Sequence, residues 1–480
     1  MSDSLGDAML TRLEVDGFKN LLGLQVDFGA FTCIAGENGT GKSNVFDAIQ
    51  FLSLLSDMPM MDAAQHVRGV HGERVGDPRD LFWNAYESER RRISFAAEMI
   101  VPLEVEDDFG RPARPTISFL RYELEIGYQP PEGIERIGRL RLLRETLRHI
   151  NQGDAASHLR FPHSAGRFRA AVVQGRRSGI AFISTTEEHG EPVISIHQDG
   201  GSRGKPRPSA ASKAPGTVVS TVTGSDDPTI LAARREMQSW RRLALEPSAL
   251  RASDRFVDPR VMETDGRHLA GALYRIATSD PGGDAERVYA RVANRLAELA
   301  GVSIRGIEVV ADDVRELLTI YLREASGIRL PARSLSEGTL RFLALCVLLE
   351  DSTMRGLYCM EEPENGIHPA NLPSMVRLVQ DLAVDVSDAP SPDNPFRQVI
   401  INTHSPAVVQ LVGAEDLLFA TTASLRAPDG SISRALRLRP LEDTWRAQGL
   451  FNGLAVTKAD ILPYLVSPPG AQLTLDLDAA

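Results

Sequence analysis

Short apolar runs near the amino terminus predict β-strands followed by a loop and a helix. Residues 11–15 and 24–28 alternate apolar and polar positions, a pattern that is typical of strands with one buried face. Residues 31–35 are almost all apolar, as in a strand that is buried on both faces. A glycine-rich loop comes next, and the pattern then predicts a helix over residues 43–55.

The middle of the chain predicts an antiparallel sheet and several modest helices. Residues 93–101 and 116–127 have the composition of strands. Residues 199–217 are rich in Gly, Pro and Ser and predict a flexible loop. Helical spacing of apolar positions recurs in three segments, at 230–245, 269–276 and 285–299.

Four further strands are predicted toward the carboxy terminus, at 304–310, 317–322, 357–360 and 398–401. The last two have the pattern of buried strands, as strands in the middle of a parallel sheet do. The sequence has no internal repeat and no heptad run long enough for a coiled-coil arm.

Composition narrows the class of protein. The 480 residues carry a formal net charge of -11, which argues against a protein that coats nucleic acid generally but leaves a local basic face open. The three cysteines, Cys33, Cys346 and Cys359, lie in apolar surroundings without CxxC spacing, as buried reduced thiols do. The polar, acidic amino terminus is unlike a signal peptide, and no apolar run is long enough to span a membrane. We therefore expect a soluble cytoplasmic protein with no membrane partner.

Residues 36–43, G-E-N-G-T-G-K-S, fit the phosphate-binding pattern G-x-x-x-x-G-K-S between a predicted strand and a predicted helix. Small residues let the backbone wrap a polyphosphate, Lys42 would contact the β and γ phosphates, and Ser43 would bind Mg²⁺. The candidate ATP-binding residues of this loop are Gly36, Asn38, Gly39, Gly41, Lys42 and Ser43.

Two adjacent carboxylates follow the buried strand at 357–360. Glu361 would contact Mg²⁺, and Glu362 would polarise the attacking water as a general base. A second buried strand leads to His404, and because strand ends gather ligands in parallel sheets, we expect this histidine to reach the γ-phosphate. The candidate catalytic residues are Glu362, His404 and Lys42, and the candidate metal ligands are Ser43 and Glu361.

A polar segment at 334–342, S-L-S-E-G-T-L-R-F, precedes the apolar run 343–349. Serine and glycine at a helix start leave backbone N–H groups free to bind an anion. The simpler interpretation is that Ser336 only caps the helix.

Four motifs occur together along the chain, in addition to an L-x-V-x-x-F-K-N opening at 13–20. They resemble, in the same order, the motifs of ABC-type ATPase heads of the RecF, SMC and OLD branch, including ATPases of OLD-like, Septu-like and PARIS-like systems. The resemblance implies an α/β fold, namely a P-loop ABC-type head whose mixed sheet is flanked by helices, with a compact inserted α+β and helical lobe and no long coiled coil. The motifs are G-E-N-G-T-G-K-S-N at 36–44, L-S-E-G-T at 335–339, E-E-P-E-N-G-I-H-P at 361–369 and N-T-H-S-P at 402–406.

The resemblance also implies a head-to-head homodimer with ATP and Mg²⁺ at its interface. In this family the signature segment contacts the ATP held by the partner protomer, and Asn44 extends the ATP-binding loop. The residues that match the signature are Ser336, Glu337 and Gly338.

The sequence departs from the family pattern at two places. Glu361 stands where the family usually has the shorter Asp, which leaves the geometry of the Mg²⁺ site open. The glutamine that senses the γ-phosphate has no clear counterpart, although Gln50 and Gln65 both follow the phosphate loop.

The motif positions divide the chain into four parts. Residues 1–90 and 330–425 would form the two halves of the ATPase head, and residues 91–329 the inserted lobe. Residues 426–480 would form a carboxy-terminal extension and tail.

Arginines are frequent in residues 136–177, where they predict either a DNA-binding patch or a solvated face with salt bridges. The candidate DNA-binding residues are Arg139, Arg141, Arg144 and Arg148. The chain offers no nuclease motif within a domain after His404, so any effector would be a separate polypeptide, for example a TOPRIM-like nuclease.

The tail A-Q-L-T-L-D-L-D-A-A follows a Ser-Pro-Pro-Gly stretch. Its alternation predicts a terminal strand, but it also resembles the peptide by which bacterial proteins bind the β sliding clamp. The candidate clamp-binding residues are Gln472, Leu473, Leu475 and Leu477.

These features lead to two functional hypotheses. The first is an ATP-hydrolysing dimeric switch that engages DNA in repair or anti-phage defence. The second is an ATP-dependent regulator of a separate nuclease or toxin, with little DNA binding of its own. The large insertion before the signature disfavours a transporter ATPase.

Overall fold

The computed structural model describes residues 8–68, 77–83, 91–131, 133, 136–199, 206–211, 214–279, 284–301, 303–426, 432–448 and 455–466. The strands in this part are β1 (Met9–Asp16), β2 (Leu24–Asp27), β3 (Phe31–Ala35), β4 (Arg92–Ile100), β5 (Val105–Glu106), β6 (Pro112–Ala113), β7 (Phe119–Gln129), β8 (Arg139–His149), β9 (Ile183–Glu188), β10 (Glu191–Ile196), β11 (Arg207–Ala210), β12 (Arg241–Leu243), β13 (Asp254–Arg255), β14 (Ile304–Asp312), β15 (Leu317–Glu324), β16 (Arg329–Pro331), β17 (Gly356–Glu361), β18 (Arg397–Thr403), β19 (Leu417–Arg426) and β20 (Ile432–Pro440). The α-helices are α1 (Lys42–Leu55), α2 (Met60–His66), α3 (Ala155–His158), α4 (Ala170–Val172), α5 (Pro228–Gln238), α6 (Pro247–Leu250), α7 (Leu269–Thr278), α8 (Ala285–Ala300), α9 (Glu337–Glu350), α10 (Leu372–Asp381), α11 (Pro406–Leu411) and α12 (Lys458–Val466).

A six-stranded mixed sheet forms the centre of the head, in the order β12-β17-β18-β3-β19-β20. The strands from β12 to β19 are parallel, and β20 is antiparallel to β19. Alternate residues of β3, β17 and β18 enter different cores: Ile34 and Ile400 pack with α1 and α5, whereas Cys33 and Ile401 pack with α7 to α10. Burial on both faces explains the apolar runs within these strands, such as residues 357–360 of β17 and 399–401 of β18. The predicted α/β head with helices flanking a mixed sheet is confirmed.

The second sheet has eight antiparallel strands in the order β11-β10-β9-β8-β7-β4-β1-β2. It contains the amino-terminal strands as well as strands of the predicted insertion, so the predicted boundary at residue 91 runs through one sheet. Gln398 of β18 joins this sheet to the head, because its side chain accepts a hydrogen bond from Leu10 N at 3.0 Å and donates to Leu10 O at 2.7 Å.

Two predictions from the sequence are wrong in part. The helix predicted over 230–245 ends at Gln238, and Arg241–Leu243 forms β12, which pairs in parallel with β17 at the edge of the head sheet. The loop predicted over 199–217 contains strand β11, which pairs with β10, and its Thr217 is buried and donates to Leu55 O at 2.8 Å. In both segments long-range pairing decides the conformation.

The helices are short enough to pack around the head. The longest helix in the described part of the chain is α8, with 16 residues, so that part holds no long coiled-coil arm. Among the same residues, no helix combines the length and apolar character needed to cross a membrane.

A buried carboxyl group beside β12 predicts a pH dependence of stability. Glu236 is fully buried, accepts hydrogen bonds from Trp240 Nε1 at 2.8 Å and Ser239 Oγ at 3.3 Å, and burial raises its pKa from 4.5 to about 8. The unfolded chain therefore releases this proton at lower pH than the folded chain, and the stability contributed at this site falls as the pH rises from 4.5 to about 8. The melting temperature of Glu236→Gln, which keeps both hydrogen bonds, should fall less across this window than that of the wild type.

The matched control for this comparison is Glu298→Gln, which changes an exposed glutamate on α8. It should keep the wild-type pH slope. Equal slopes in Glu236→Gln and the wild type would show that Glu236 is already ionised in the folded chain.

Candidate active site

The phosphate loop connects the end of β3 to the start of α1, where its backbone is tightly confined. A Cβ at Gly36 would lie 2.6 Å from Ala420 O, and one at Gly41 would lie 2.1 Å from Asn20 Nδ2. Gly41 also has a φ of 98°, which favours glycine. A side chain at residue 36 would therefore meet the backbone of Ala420, and one at residue 41 would displace the side chain of Asn20.

Asn20 supports the loop from the β1–β2 connection. Its Nδ2 donates to Thr40 O at 3.0 Å, and its Oδ1 accepts a hydrogen bond from Asn44 Nδ2 at 2.7 Å. In this structure Asn44 therefore supports the loop through Asn20. The sequence signal for this contact is the F-K-N opening, which ends at Asn20.

Lys42 is buried inside the loop, where its Nζ donates to Gly36 O at 2.6 Å and to Glu37 O at 2.8 Å. Burial lowers the pKa of Lys42, and the nearby carboxylates of Glu362 and Glu364 oppose that shift. The ammonium group is thus held within the loop before a phosphate arrives.

The carboxyl ends of β3, β18 and β17 bring the sequence motifs together. In the parallel register Asn402 pairs with Ile34 on one side and with Glu361 on the other. The Asn402 side chain accepts from Glu362 N at 3.2 Å and donates to Ser43 Oγ at 3.4 Å. Asn402 thus links the phosphate loop to the acidic strand end, a role that the sequence analysis did not assign.

Glu362 and His404 form a hydrogen-bonded pair across adjacent strand ends. His404 Nδ1 lies 2.7 Å from Glu362 Oε1, and Asn365 Nδ2 donates to Glu362 Oε2 at 2.8 Å. Glu362 has a φ of 45°, an unusual value for a residue with a side chain. The prediction that the two strands lie side by side is confirmed. A carboxylate held in this way is suited to accept a proton.

Glu361 has the properties expected of a Mg²⁺ ligand. Its Oε2 accepts from Arg242 Nη2 at 2.9 Å, whereas its Oε1 is buried and accepts no hydrogen bond within the described part of the chain. A buried oxygen without a donor favours a bound cation, and Mg²⁺ prefers carboxylate and hydroxyl oxygens. Glu361 and Ser43 therefore fit this ion.

Glu364 is a further acidic residue that the sequence analysis missed. It is buried, accepts a hydrogen bond from Thr403 Oγ1, and has a pKa that burial raises above its usual value. Its position after Pro363 in the E-E-P-E run was the available signal.

The signature residues begin α9. Ser336 is the N-cap, with its Oγ accepting from Thr339 N at 3.2 Å. A Cβ added to Gly338 would lie 2.8 Å from Gly366 O, so the start of α9 packs directly on the turn that follows Glu362. Among the described residues, no hydrogen bond joins Ser336, Glu337 or Gly338 to the phosphate loop of the same chain.

The four candidate DNA-binding arginines lie on β8. Arg141 forms an ion pair with Glu191 at 3.0 Å, and Arg144 pairs with Glu123 at 3.2 Å. Two of the four arginines thus have acidic partners in the same sheet, on β10 and on the adjacent β7. The candidate clamp-binding residues, Gln472, Leu473, Leu475 and Leu477, lie outside the described residues.

A known family matches the part of the chain that carries most of these motifs. The family described as "AAA domain, putative AbiEii toxin, Type IV TA system" matches residues 235–410, which include the signature, both acidic residues and His404. This match covers less than half of the chain, and over that part the chain is similar to this family. The match and the order of the four motifs are consistent with an ABC-type ATPase head of the RecF and SMC branch.

Three known proteins resemble this chain, either over a short length or at low sequence identity. Human structural maintenance of chromosomes protein 1B is 39% identical over 75 residues, which make up 15% of this chain and only 6% of that protein's length. The SMC head domain from Thermotoga maritima has 13% sequence identity and a TM-score of 0.35, with 90% of this chain and 99% of that chain covered. A structure titled "SmcHead bound to the C-winged helix domain of ScpA" has 13% identity and a TM-score of 0.44, with 89% and 97% covered.

Proposed function

We propose that this head binds and hydrolyses ATP with Mg²⁺ and that two heads pair on ATP. The observation that carries the proposal is the Glu362–His404 pair, which Asn402 connects to Ser43 of the phosphate loop. A polarising base thus stands beside a phosphate-binding loop and a carboxylate suited to Mg²⁺.

In the proposed reaction, water attacks the γ-phosphorus and the bond to the ADP oxygen breaks. Glu362 Oε1 accepts the proton of the attacking water, and His404 and Asn365 hold its carboxylate in one orientation. Lys42 exchanges its contacts with loop carbonyls for phosphate oxygens. Mg²⁺, bound by Ser43 and Glu361, would neutralise charge on the phosphates.

The paired state would use the signature of one head to contact the ATP of the other. Gly338 packs on the turn after Glu362, so a movement of the signature segment would also move the turn that follows the proposed base. ATP binding would close the heads, hydrolysis would release them, and the closed state would engage DNA in repair or anti-phage defence.

The second candidate is an ATP-dependent regulator of a separate nuclease or toxin effector, with little DNA affinity. The ion pairs of Arg141 and Arg144 favour it, because these guanidinium groups already have carboxylate partners. Exposed ion pairs are worth only about 0–1 kcal/mol, however, so DNA phosphates could still displace them. A sliding clamp that binds the tail is a further candidate partner.

Duplex DNA distinguishes the two functions. We expect DNA to raise the rate of phosphate release by the full chain, and simultaneous Arg→Gln substitution at 139, 141, 144 and 148 to remove this stimulation without changing basal turnover. Each lost phosphate contact should also reduce the salt dependence of DNA binding by about one unit of slope. Basal and DNA-stimulated phosphate release at two salt concentrations measure both effects.

The control removes exposed arginines from another sheet, in Arg426→Gln with Arg434→Gln on β19 and β20. This variant should keep the DNA stimulation. A wild type whose turnover ignores DNA would reject direct DNA engagement and favour the effector regulator.

A further inference from the structure

Five charged side chains form a cluster beneath the proposed metal site, and the reaction as described makes use of only one of them. The charged cluster consists of Lys19, Asp47, Arg68, Arg242 and Glu361. Asp47 is fully buried, and it accepts contacts from Lys19 Nζ at 2.6 Å, Arg242 Nη1 at 3.1 Å and Arg68 Nη2 at 3.2 Å. Three cations from separate parts of the chain thus meet one carboxylate of α1, in the second turn after Lys42.

The same two arginines extend to Glu361. Arg242 Nη2 lies 2.9 Å from Glu361 Oε2, and Arg68 Nη1 lies 3.7 Å from the same oxygen. Arg242 therefore bridges two carboxylates with the two ends of its guanidinium fork, an arrangement that a lysine cannot reproduce. Glu361 Oε1 remains buried without a hydrogen-bond donor in the described part of the chain.

The unequal use of the two oxygens bears on the length of this side chain. The family resemblance implied a shorter Asp at this position, and Glu adds one methylene. In this structure one oxygen of Glu361 contacts Arg242, and the other accepts no hydrogen bond from the described residues. The contact between Oε2 and Arg242 holds the Glu361 side chain in one rotamer. Without this contact, the side chain would lose conformational entropy each time a metal binds.

We propose that Arg242, assisted by Arg68, is a positioning residue that holds Glu361 Oε2 so that Oε1 is presented to Mg²⁺. This inference rests on the proposed function, since it assigns residues that orient the metal ligand of that reaction. Asp47 in turn orients Arg242, because it engages the other end of the guanidinium group.

The neighbouring residue on β12 supplies a matched comparison. Side chains alternate along a strand, and Arg241 contacts Met354 Sδ at 3.6 Å instead of joining the charged cluster. Arg241→Gln thus removes the same charge and the same kind of side chain from the same strand, without disturbing Glu361.

The test measures metal binding directly, by electron paramagnetic resonance of Mn²⁺ with ATP present, in full chains that carry Glu362→Gln to prevent turnover. We expect Arg242→Gln to weaken Mn²⁺ binding on the order of tenfold or more. Arg242→Lys should recover part of the loss, and Arg241→Gln should bind Mn²⁺ as the parent does. ATP binding in EDTA should be equal in all of these chains, since it does not need Glu361.

A second substitution tests whether Arg242 acts through Glu361. In a Glu361→Asp background the shorter carboxylate cannot reach both the guanidinium and the metal, so adding Arg242→Gln should have little further effect on Mn²⁺ affinity. If Arg242→Gln does not fold, Arg68→Gln replaces it in the same comparison. Its expected loss of Mn²⁺ affinity is smaller, because Arg68 lies farther from Glu361 Oε2 than Arg242 does.

The results of these measurements distinguish failure of the positioning role of Arg242 from failure of the proposed metal site. Equal Mn²⁺ affinity in Arg242→Gln and Arg241→Gln, with normal metal-dependent binding in the parent, would overturn the positioning role alone. The same Arg242 effect in the Glu361→Asp background would also overturn it. A parent chain that binds Mn²⁺ with ATP no better than its Glu361→Gln variant would overturn both the metal site and this inference.

Discussion

Glu362→Gln is expected to abolish ATP hydrolysis while ATP binding persists. Glu362 Oε1 is paired with His404 at 2.7 Å, and its Oε2 is held by Asn365 at 2.8 Å, so the carboxylate is already oriented. Glutamine has nearly the same shape and can still accept from His404, but it cannot take a proton from water. Loss of a general base lowers the turnover number by roughly 10²–10⁴-fold.

The measurement pairs phosphate release with equilibrium binding of a fluorescent ATP analogue. The variant should show wild-type affinity within about twofold, since Lys42 and the loop are unchanged. Glu298→Gln on α8 is the matched control and should keep full activity. A Glu362→Gln chain that still hydrolyses ATP at the wild-type rate would remove Glu362 from the role of base.

The structure of the candidate phosphate loop could be predicted from the sequence because its requirements are local. The loop at 36–43 needs glycines and a lysine at fixed spacing, and the backbone around Gly36 and Gly41 confirms why. The sequence also predicted that the acidic residues and the histidine lie close together. Buried parallel strands place their carboxyl ends at one edge of the sheet, where Glu361, Glu362 and His404 are found.

The edge strand β12 could not be predicted in the same way. Residues 230–245 have helical spacing, but Trp240 donates to the buried Glu236 and the chain then pairs with β17. A strand of three residues exists only because its partner is present, so no local pattern indicates it. For the same reason, no local pattern in the sequence places Arg242 beside Glu361.

Supporting side chains were missed for a related reason. Asn20, Asp47 and Asn402 all belong to segments that were noticed, yet their contacts join residues distant in sequence. Polar residues next to a motif indicate that they support a neighbouring part of the site. Only the folded structure shows which residues they contact. The prediction of a flexible loop over the Gly/Pro/Ser-rich residues was wrong for the same reason, since β11 within this segment pairs with β10.

Dimerisation on ATP gives the second large expected effect. A Glu362→Gln chain should become a dimer when ATP and Mg²⁺ are added, because hydrolysis no longer releases the pair. Adding Ser336→Arg should keep it monomeric, since a bulky side chain would stand where the signature meets the partner's phosphate. Sedimentation velocity with and without ATP measures both states, and melting temperatures check that the loss of the helix N-cap, which costs about 1 kcal/mol, leaves the chain folded.

Mixing two inactive chains then shows whose signature acts on whose ATP. Lys42→Ala lacks a functional phosphate loop, and Ser336→Arg lacks a functional signature, so each alone should be inactive. If the signature acts in trans, only a mixed dimer contains an intact composite site, in which the loop of one chain meets the signature of the other. Mixing the two chains with ATP should therefore restore part of the activity that neither chain has alone. Because coupled sites could suppress this recovery, the sedimentation result decides the matter: a Glu362→Gln chain with Ser336→Arg that dimerises on ATP as well as Glu362→Gln alone would reject the head-to-head switch.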